Sequence, residues 1–125
     1  MDVTPLIPSD RKVIVGYGAT GFRINDAVHE GAVIVTPTAV QPWTAASPDA
    51  LEVQDFSFLG AETGLEVLLI GTGSKMRFVP PKLRAAIREL GPVPEIMDSG
   101  AACRTFNVLL AEGRQVAAAL FPAEA

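Results

Sequence analysis

One cysteine, Cys103, and one histidine, His29, are all that 125 residues contain of those two types. A lone cysteine closes no internal disulfide, and one imidazole gives no His/Cys spacing for zinc or iron, so no metal and no cofactor are expected. Long hydrophobic runs are missing too. None approaches the roughly 20 residues that cross a bilayer, and Met1-Asp2-Val3-Thr4-Pro5 has neither the basic nor the apolar part of a secretory leader. The expectation is a cytoplasmic chain that does not itself span a membrane. Basic residues are also in deficit, with Lys and Arg numbering 10 against 14 Asp and Glu, for a net charge of −4. Without clustered cations over the whole chain, a general nucleic-acid binder is excluded as an expectation.

A hydrophobic share of 49% and a charged share of 19% suit a compact chain. At this length roughly two thirds of the unfolded surface is buried on folding, and one domain over residues 1–125 is expected. The stretch Glu66-Val67-Leu68-Leu69-Ile70-Gly71-Thr72-Gly73 divides it. As an apolar run of strand length that stops at two glycines, it reads as a buried strand over Glu66–Gly71.

Residues 66–125 then read as strand, helix, strand, helix, strand. Pro81 is placed to open a helix whose apolar face is Leu83, Ala86, Ile87 and Leu90. Pro94–Asp98 is a strand, and Asp98 or Ser99 caps a helix over about residues 100–111 with Ala102, Phe106, Leu109 and Leu110 inward. Arg114–Phe121 closes the series. This alternation is the grammar of an open α/β sheet with right-handed crossovers.

Residues 1–65 read as short strands and turns. Asp2 to Asp10 is an extended lead-in, Lys12–Val15 runs into Gly16-Tyr17-Gly18, and Phe22–Asn25 alternates apolar and polar. Glu30-Gly31 turns before Ala32–Thr36, which together predicts an antiparallel hairpin or meander, with His29 on its surface. Val40–Thr44 is confined to an edge by Pro42. Ser47-Pro48-Asp49 is a turn or a helix start, and one short helical turn is expected near Phe56 to Leu59.

Charge is distributed unevenly. Residues 1–66 carry nine acids and three bases, whereas 67–125 carry five acids and seven bases. Lys75, Arg77, Lys82, Arg84 and Arg88 fall in an interval free of Asp and Glu. They form either a solvated face or a docking patch for an anion or an acidic partner.

Gly71-Thr72-Gly73 after a strand invites a dinucleotide-binding reading, with Asp98 at the distance of a ribose ligand. The third glycine is missing, since position 76 is Met76, and the helix opens only after a loop. A tight turn is the simpler account. Cys103 near a helix start could be a thiolate, but no base accompanies it, and burial as a small apolar side chain competes. Arg104 in the first turns of a helix opposes the helix dipole, so a partner is needed, and Asp98 is the expected one. An Asp98–Arg104 pair with Thr105 and Asn107 would either fix the helix on the sheet or line a polar binding site at the carboxyl ends of the strands.

Several runs resemble a family of unknown function found in bacteria and archaea, of an archaeal Mth-type α/β domain, that also includes the mitochondrial respiratory complex I assembly factor 3. They are Gly16-Tyr17-Gly18 to Phe22, Gly31-Ala32-Val33-Ile34-Val35-Thr36-Pro37, Trp43, Leu68-Leu69-Ile70-Gly71-Thr72-Gly73, Pro80-Pro81, Glu95-Ile96-Met97-Asp98-Ser99, Ala101-Ala102-Cys103-Arg104-Thr105-Phe106-Asn107-Val108-Leu109, Glu112-Gly113-Arg114 and Ala117-Ala118-Ala119-Leu120. The resemblance implies a three-layer α/β domain with a central mixed sheet and an added antiparallel β layer from the N-terminal half. It implies no settled catalytic residues, and a chaperone-like, protein-binding role with a protein partner in membrane-complex assembly. Two readings follow. One is a non-catalytic binding or assembly protein. The other is a small-molecule or anion binder, or an enzyme, using Gly71, Thr72, Gly73, Asp98, Cys103 and Arg104. No oligomeric state follows from the sequence.

Overall fold

The computed structural model describes residues 11–123. The lead-in segment expected over Asp2 to Asp10 lies outside them. In chain order come strands β1 (Ile14–Tyr17), β2 (Gly21–Ile24), β3 (Ala27–Glu30), β4 (Val33–Val35) and β5 (Val40–Pro42). A 3-10 helix (Val53–Ala61), β6 (Val67–Thr72), α1 (Pro81–Glu89), β7 (Val93–Met97), α2 (Ser99–Ala111) and β8 (Val116–Phe121) follow. β1, β2 and β3 form an antiparallel meander, and the other five strands form a mixed sheet in the order β5-β4-β8-β6-β7.

The mixed sheet is built from two kinds of pairing. β6 lies between β7 and β8, parallel to both. β4 then pairs antiparallel with β8 and with β5, which ends on Pro42 at the edge as expected. The two crossovers therefore travel in opposite directions, from β6 to β7 and from β7 back past β6 to β8. Right-handed connections of opposite direction place their helices on opposite faces, and the core divides accordingly. On one face Leu69, Val116, Ala118 and Leu120 meet Ala102, Phe106 and Leu110 of α2 and Ile14, Phe22 and Ile24 of the meander. On the other, Leu68, Ile70, Ala117, Ala119 and Phe121 meet Leu83 and Ile87 of α1, Phe56 and Leu59 of the 3-10 helix, and Trp43. Each such fully buried Leu, Ile or Phe stabilises by roughly 1.5–3 kcal/mol.

The resulting layers are the meander with α2, the mixed sheet, and α1 with the 3-10 helix. The alanines of β8 follow from this placement, because a central strand covered on both faces leaves little room above its Cβ atoms.

Several expectations change. Of the antiparallel hairpin or meander expected from Lys12 to Thr36, β1 and β2 pair as expected, but β2 turns at Asn25-Asp26 into β3, and β4 pairs with β5 and β8 in the other sheet instead. His29 sits half-buried on β3. The single turn near Phe56 to Leu59 is part of a longer 3-10 segment, Val53–Ala61, that is kinked at Phe56 and opens where the Glu52 amide donates to Asp55 Oδ2 at 2.8 Å. Ser47-Pro48-Asp49 is a turn, in which the Asp49 amide donates to Ser47 Oγ at 3.2 Å. On α1 only Leu83 and Ile87 are buried; Ala86 is half-buried and Leu90, at the C-terminal cap, is exposed.

Candidate functional site

The carboxyl ends of β6, β7 and β8 come together, because all three strands run parallel. Asp98 caps α2, its Oδ1 accepting from the Ala101 amide at 2.8 Å. Ser99, the next residue, is fully buried. Its amide donates to the Gly73 carbonyl at 2.8 Å, and its Oγ accepts from the Gly73 amide at 2.8 Å while donating to the Phe121 carbonyl at 2.5 Å. One hydroxyl thus ties the ends of two strands, β6 and β8, to the start of the helix that follows β7. The segment from Asp98 and the turn at Gly71 to Gly73 meet as the alternation of elements requires.

Gly71 makes this approach possible. A Cβ there would lie 2.8 Å from Leu120 Cδ2, 2.9 Å from Ser99 Oγ and 3.0 Å from Ser99 Cα, closer than side chains tolerate. Gly73 has φ +100, in the left-handed region. Thr72 is buried, with its Oγ1 donating to the Lys75 carbonyl at 2.8 Å and accepting from the Arg77 amide at 3.0 Å. The loop after β6 is closed on itself. Its glycines serve backbone packing, and their amides are not turned outward as a phosphate cradle.

The expected Asp98–Arg104 ion pair does not form. Arg104 Nη1 instead donates to the Tyr17 hydroxyl at 2.7 Å, reaching across to β1, while Asp98 turns back onto the helix start. Tyr17 lies against Gly100, where a Cβ would come within 2.7 Å of its hydroxyl. Asn107 also faces β1 and stands apart from the corner: its Oδ1 accepts from the Ile14 amide at 2.9 Å and its Nδ2 donates to the Ile14 carbonyl at 2.7 Å. Thr105 is half-buried on the same helix. The sequence foresaw a polar cluster; the structure separates it into a cap, a helix-to-strand bridge and a strand clamp.

Cys103 is 2% exposed. Burial pushes its thiol from 9.0 up to about 12, against a smaller downward pull from Arg104, so it does not present a thiolate near neutral pH. A thiol reagent is expected to label Cys103 only after denaturation, and labelling of the native protein at the denatured rate would contradict this. Because the folded-state value is raised, the contribution of Cys103 to stability is fully present below pH 9 and is lost as pH rises towards 12, at about 1.4 kcal/mol per pH unit. Cys103→Ala should flatten that part of the alkaline stability curve relative to the parent.

The five cations foreseen as one patch divide. Arg77 Nη1 pairs with Asp49 Oδ2 at 3.0 Å, and Lys82 borders a different depression, with Leu51, Glu52 and Val53. Arg84 and Arg88 border a groove between α1 and β7. Lys75 is exposed on the loop after β6.

A cleft of about 320 Å³ opens at the carboxyl ends between Gly73, Phe121, Pro122 and the Ala46–Pro48 segment. Its lining contributes no charged side chain, and Ser47 is its one hydroxyl. Among the described residues no group of three or more His, Cys, Asp or Glu is placed to hold a metal, and no helix is long and apolar enough to cross a membrane.

A family described as "Protein of unknown function (DUF498/DUF598)" matches residues 14–121. The chain is 35% identical over 111 residues to NADH dehydrogenase [ubiquinone] 1 alpha subcomplex assembly factor 3 of Danio rerio, covering 88% of this chain and 64% of that protein. It thus spans under two thirds of the length of that relative. A crystal structure of an outer membrane protein from Bartonella henselae superposes with a TM-score of 0.81 at 40% identity, covering 91% of this chain and 97% of that one. The solution structure of a Bordetella pertussis protein, described as a Mth938-like domain, gives a TM-score of 0.76 at 27% identity, over 98% of this chain and 90% of that one. The layered α/β arrangement is therefore shared.

Proposed function

The chain belongs to the DUF498/DUF598 family of proteins of unknown function, and from that membership we propose that it is a non-catalytic, assembly-factor-like protein of the cytoplasm. It binds protein partners while a respiratory membrane complex is put together. The observation that carries this reading is the 35% identity, over 88% of the chain, to an NADH dehydrogenase assembly factor. The geometry of the corner is consistent with it. The Thr72 hydroxyl is spent on the Lys75 carbonyl and the Arg77 amide, and the Gly73 amide and Ser99 hydroxyl on each other and on the Phe121 carbonyl; Asp98 is a helix cap, and Cys103 is buried. The small-molecule or anion-binding reading has weaker support, since the residues it needs are engaged or inaccessible.

Deletion of the coding sequence in its native host tests the proposal. Membranes from the deletion strain are expected to retain less than about a fifth of parental NADH:quinone oxidoreductase activity, with subcomplexes accumulating on native gels, as loss of a required assembly partner produces. Parental activity and a fully assembled complex in the deletion strain would overturn it.

A further inference from the structure

Phe78 is 75% exposed and Met76 64%, the two most exposed large apolar side chains among the described residues. Both border a depression of about 280 Å³ that shares Arg84 and Glu95 with the neighbouring groove of about 290 Å³ between α1 and β7. We propose that this continuous surface docks an acidic segment of a partner protein, whose apolar side chains cover Phe78 and Met76 while its carboxylates meet Arg84 and Arg88. The proposal rests on the protein-binding reading above and names the chemistry of the partner.

Three features define the occupant. The first is charge. Arg84 and Arg88 make no ion pair among the described residues, no Asp or Glu occurs from Val67 to Arg88, and Glu95 is the only carboxylate bordering the two depressions. The local field is positive on a chain whose net charge is −4, so an acidic segment is attracted here and repelled elsewhere.

The second is fixed presentation. Thr72 Oγ1 closes the loop over Lys75 and Arg77, and Arg77 is anchored to Asp49. The backbone that carries Met76 and leads into Phe78 is therefore tied down before binding, which lowers the ordering cost.

The third is the strand edge. The Val93 amide bonds to Glu66 of the preceding loop, so by alternation Val93, Glu95 and Met97 direct their amides to β6, and Pro94 and Ile96 face outward. Proline has no amide to donate, which leaves Ile96 as the only outward donor of β7. A continuous backbone ladder with a second copy is thereby disfavoured, and recognition falls to side chains.

The test places a photo-cross-linking amino acid at Met76 of the full chain in its native host, leaving Phe78 intact, and sequences the attached peptide. The expected product is a segment of another protein with net negative charge over about ten residues. The double variant R84E/R88E, two exposed positions on α1, should cut the yield about tenfold while thermal unfolding stays unchanged. A link to a second copy of this chain, a link to a neutral or basic segment, no link, or an undiminished yield in R84E/R88E would each overturn the proposal. Complementation of the deletion strain separates the two readings. If R84E/R88E restores the oxidoreductase as well as the parent does, the groove is wrong while the assembly role stands. If deletion has no effect but the acidic cross-link forms, the assembly role is wrong and the groove stands.

Discussion

Ser99→Ala is expected to destabilise the protein by about 2–4 kcal/mol, because it leaves the buried Gly73 amide and Phe121 carbonyl without the partner that satisfies both, at about 1–3 kcal/mol each. The side chain removed is one oxygen, so the cavity left is small and the loss is one of hydrogen bonding. Urea denaturation followed by circular dichroism measures it, and a stability within about 0.5 kcal/mol of the parent (a surface-like value) would show that the hydroxyl does not hold the corner. Gly71→Ala attacks the same corner by a different cause. It retains every hydrogen bond but places a methyl against Leu120, Ser99 Oγ and Ser99 Cα, at a cost of about 1–3 kcal/mol for overpacking. The two sites share a contact and are not independent. Removing Oγ relieves one of the three clashes, so the double variant should lose less than the sum of the singles, by about 0.5 kcal/mol or more. Strict additivity would mean that the α2 start shifts away from the sheet in one of the variants.

Ser99 also shows where the sequence was legible. Its position beside Asp98 at a helix start followed from local chemistry: a strand run, an N-cap residue and an apolar stripe three and four apart. The same local signals located β6, α1 at Pro81, the edge position of β5, and the meeting of the 71–73 turn with the start of α2. Contacts between distant segments leave no such mark. Ser99 Oγ reaches Phe121, Arg104 reaches Tyr17 and Asn107 reaches Ile14, at separations of 22, 87 and 93 residues.

β3 went unrecognised for a related reason. Its residues are exposed or half-buried on both faces, with Val28 62% exposed, so it carries no burial period; pairing with β2 and a turn at Asn25, φ 52, define it. That Asn-Asp turn between alternating residues was its one available signal. The allocation of β4 to the mixed sheet had none, because β-branched runs of this kind pair equally well in either sheet. Met76 and Phe78 carry no signal in the sequence, because single apolar residues in a loop are ordinary until the fold leaves both uncovered.

Asn107→Leu should cost about 2–3 kcal/mol and loosen one layer selectively. The carboxamide has the same donor and acceptor as a peptide unit, and here it pairs with both backbone groups of Ile14 as a neighbouring strand would. β1 therefore has β2 on one side and Asn107 on the other, and Ile14 itself is buried. Leucine has the same number and branching of side-chain heavy atoms, but its bulkier methyl groups leave the amide and carbonyl of Ile14 unsatisfied. Native-state hydrogen exchange gives the local readout: protection of the Ile14 amide should fall about 30-fold or more relative to Leu69 in the central sheet. A uniform fall at both amides would mean that β1 unfolds only with the whole molecule.

Asn107→Asp resolves the two bonds. The carboxylate still accepts from the Ile14 amide but sets an anionic oxygen against the Ile14 carbonyl, where only the protonated acid can donate. The folded-state pKa of the introduced carboxyl is thus raised, so the variant's stability is fullest below the unfolded value of about 3.9 and is lost as pH rises through the folded one. A variant that is instead more stable near neutral pH than at about pH 4, relative to the parent, would show that Nδ2 contributes nothing to the clamp. Since β1 also carries Tyr17, the partner of Arg104, releasing Ile14 should loosen that bond too, so Asn107, by imitating a strand, adds to the apolar packing that holds the meander on α2.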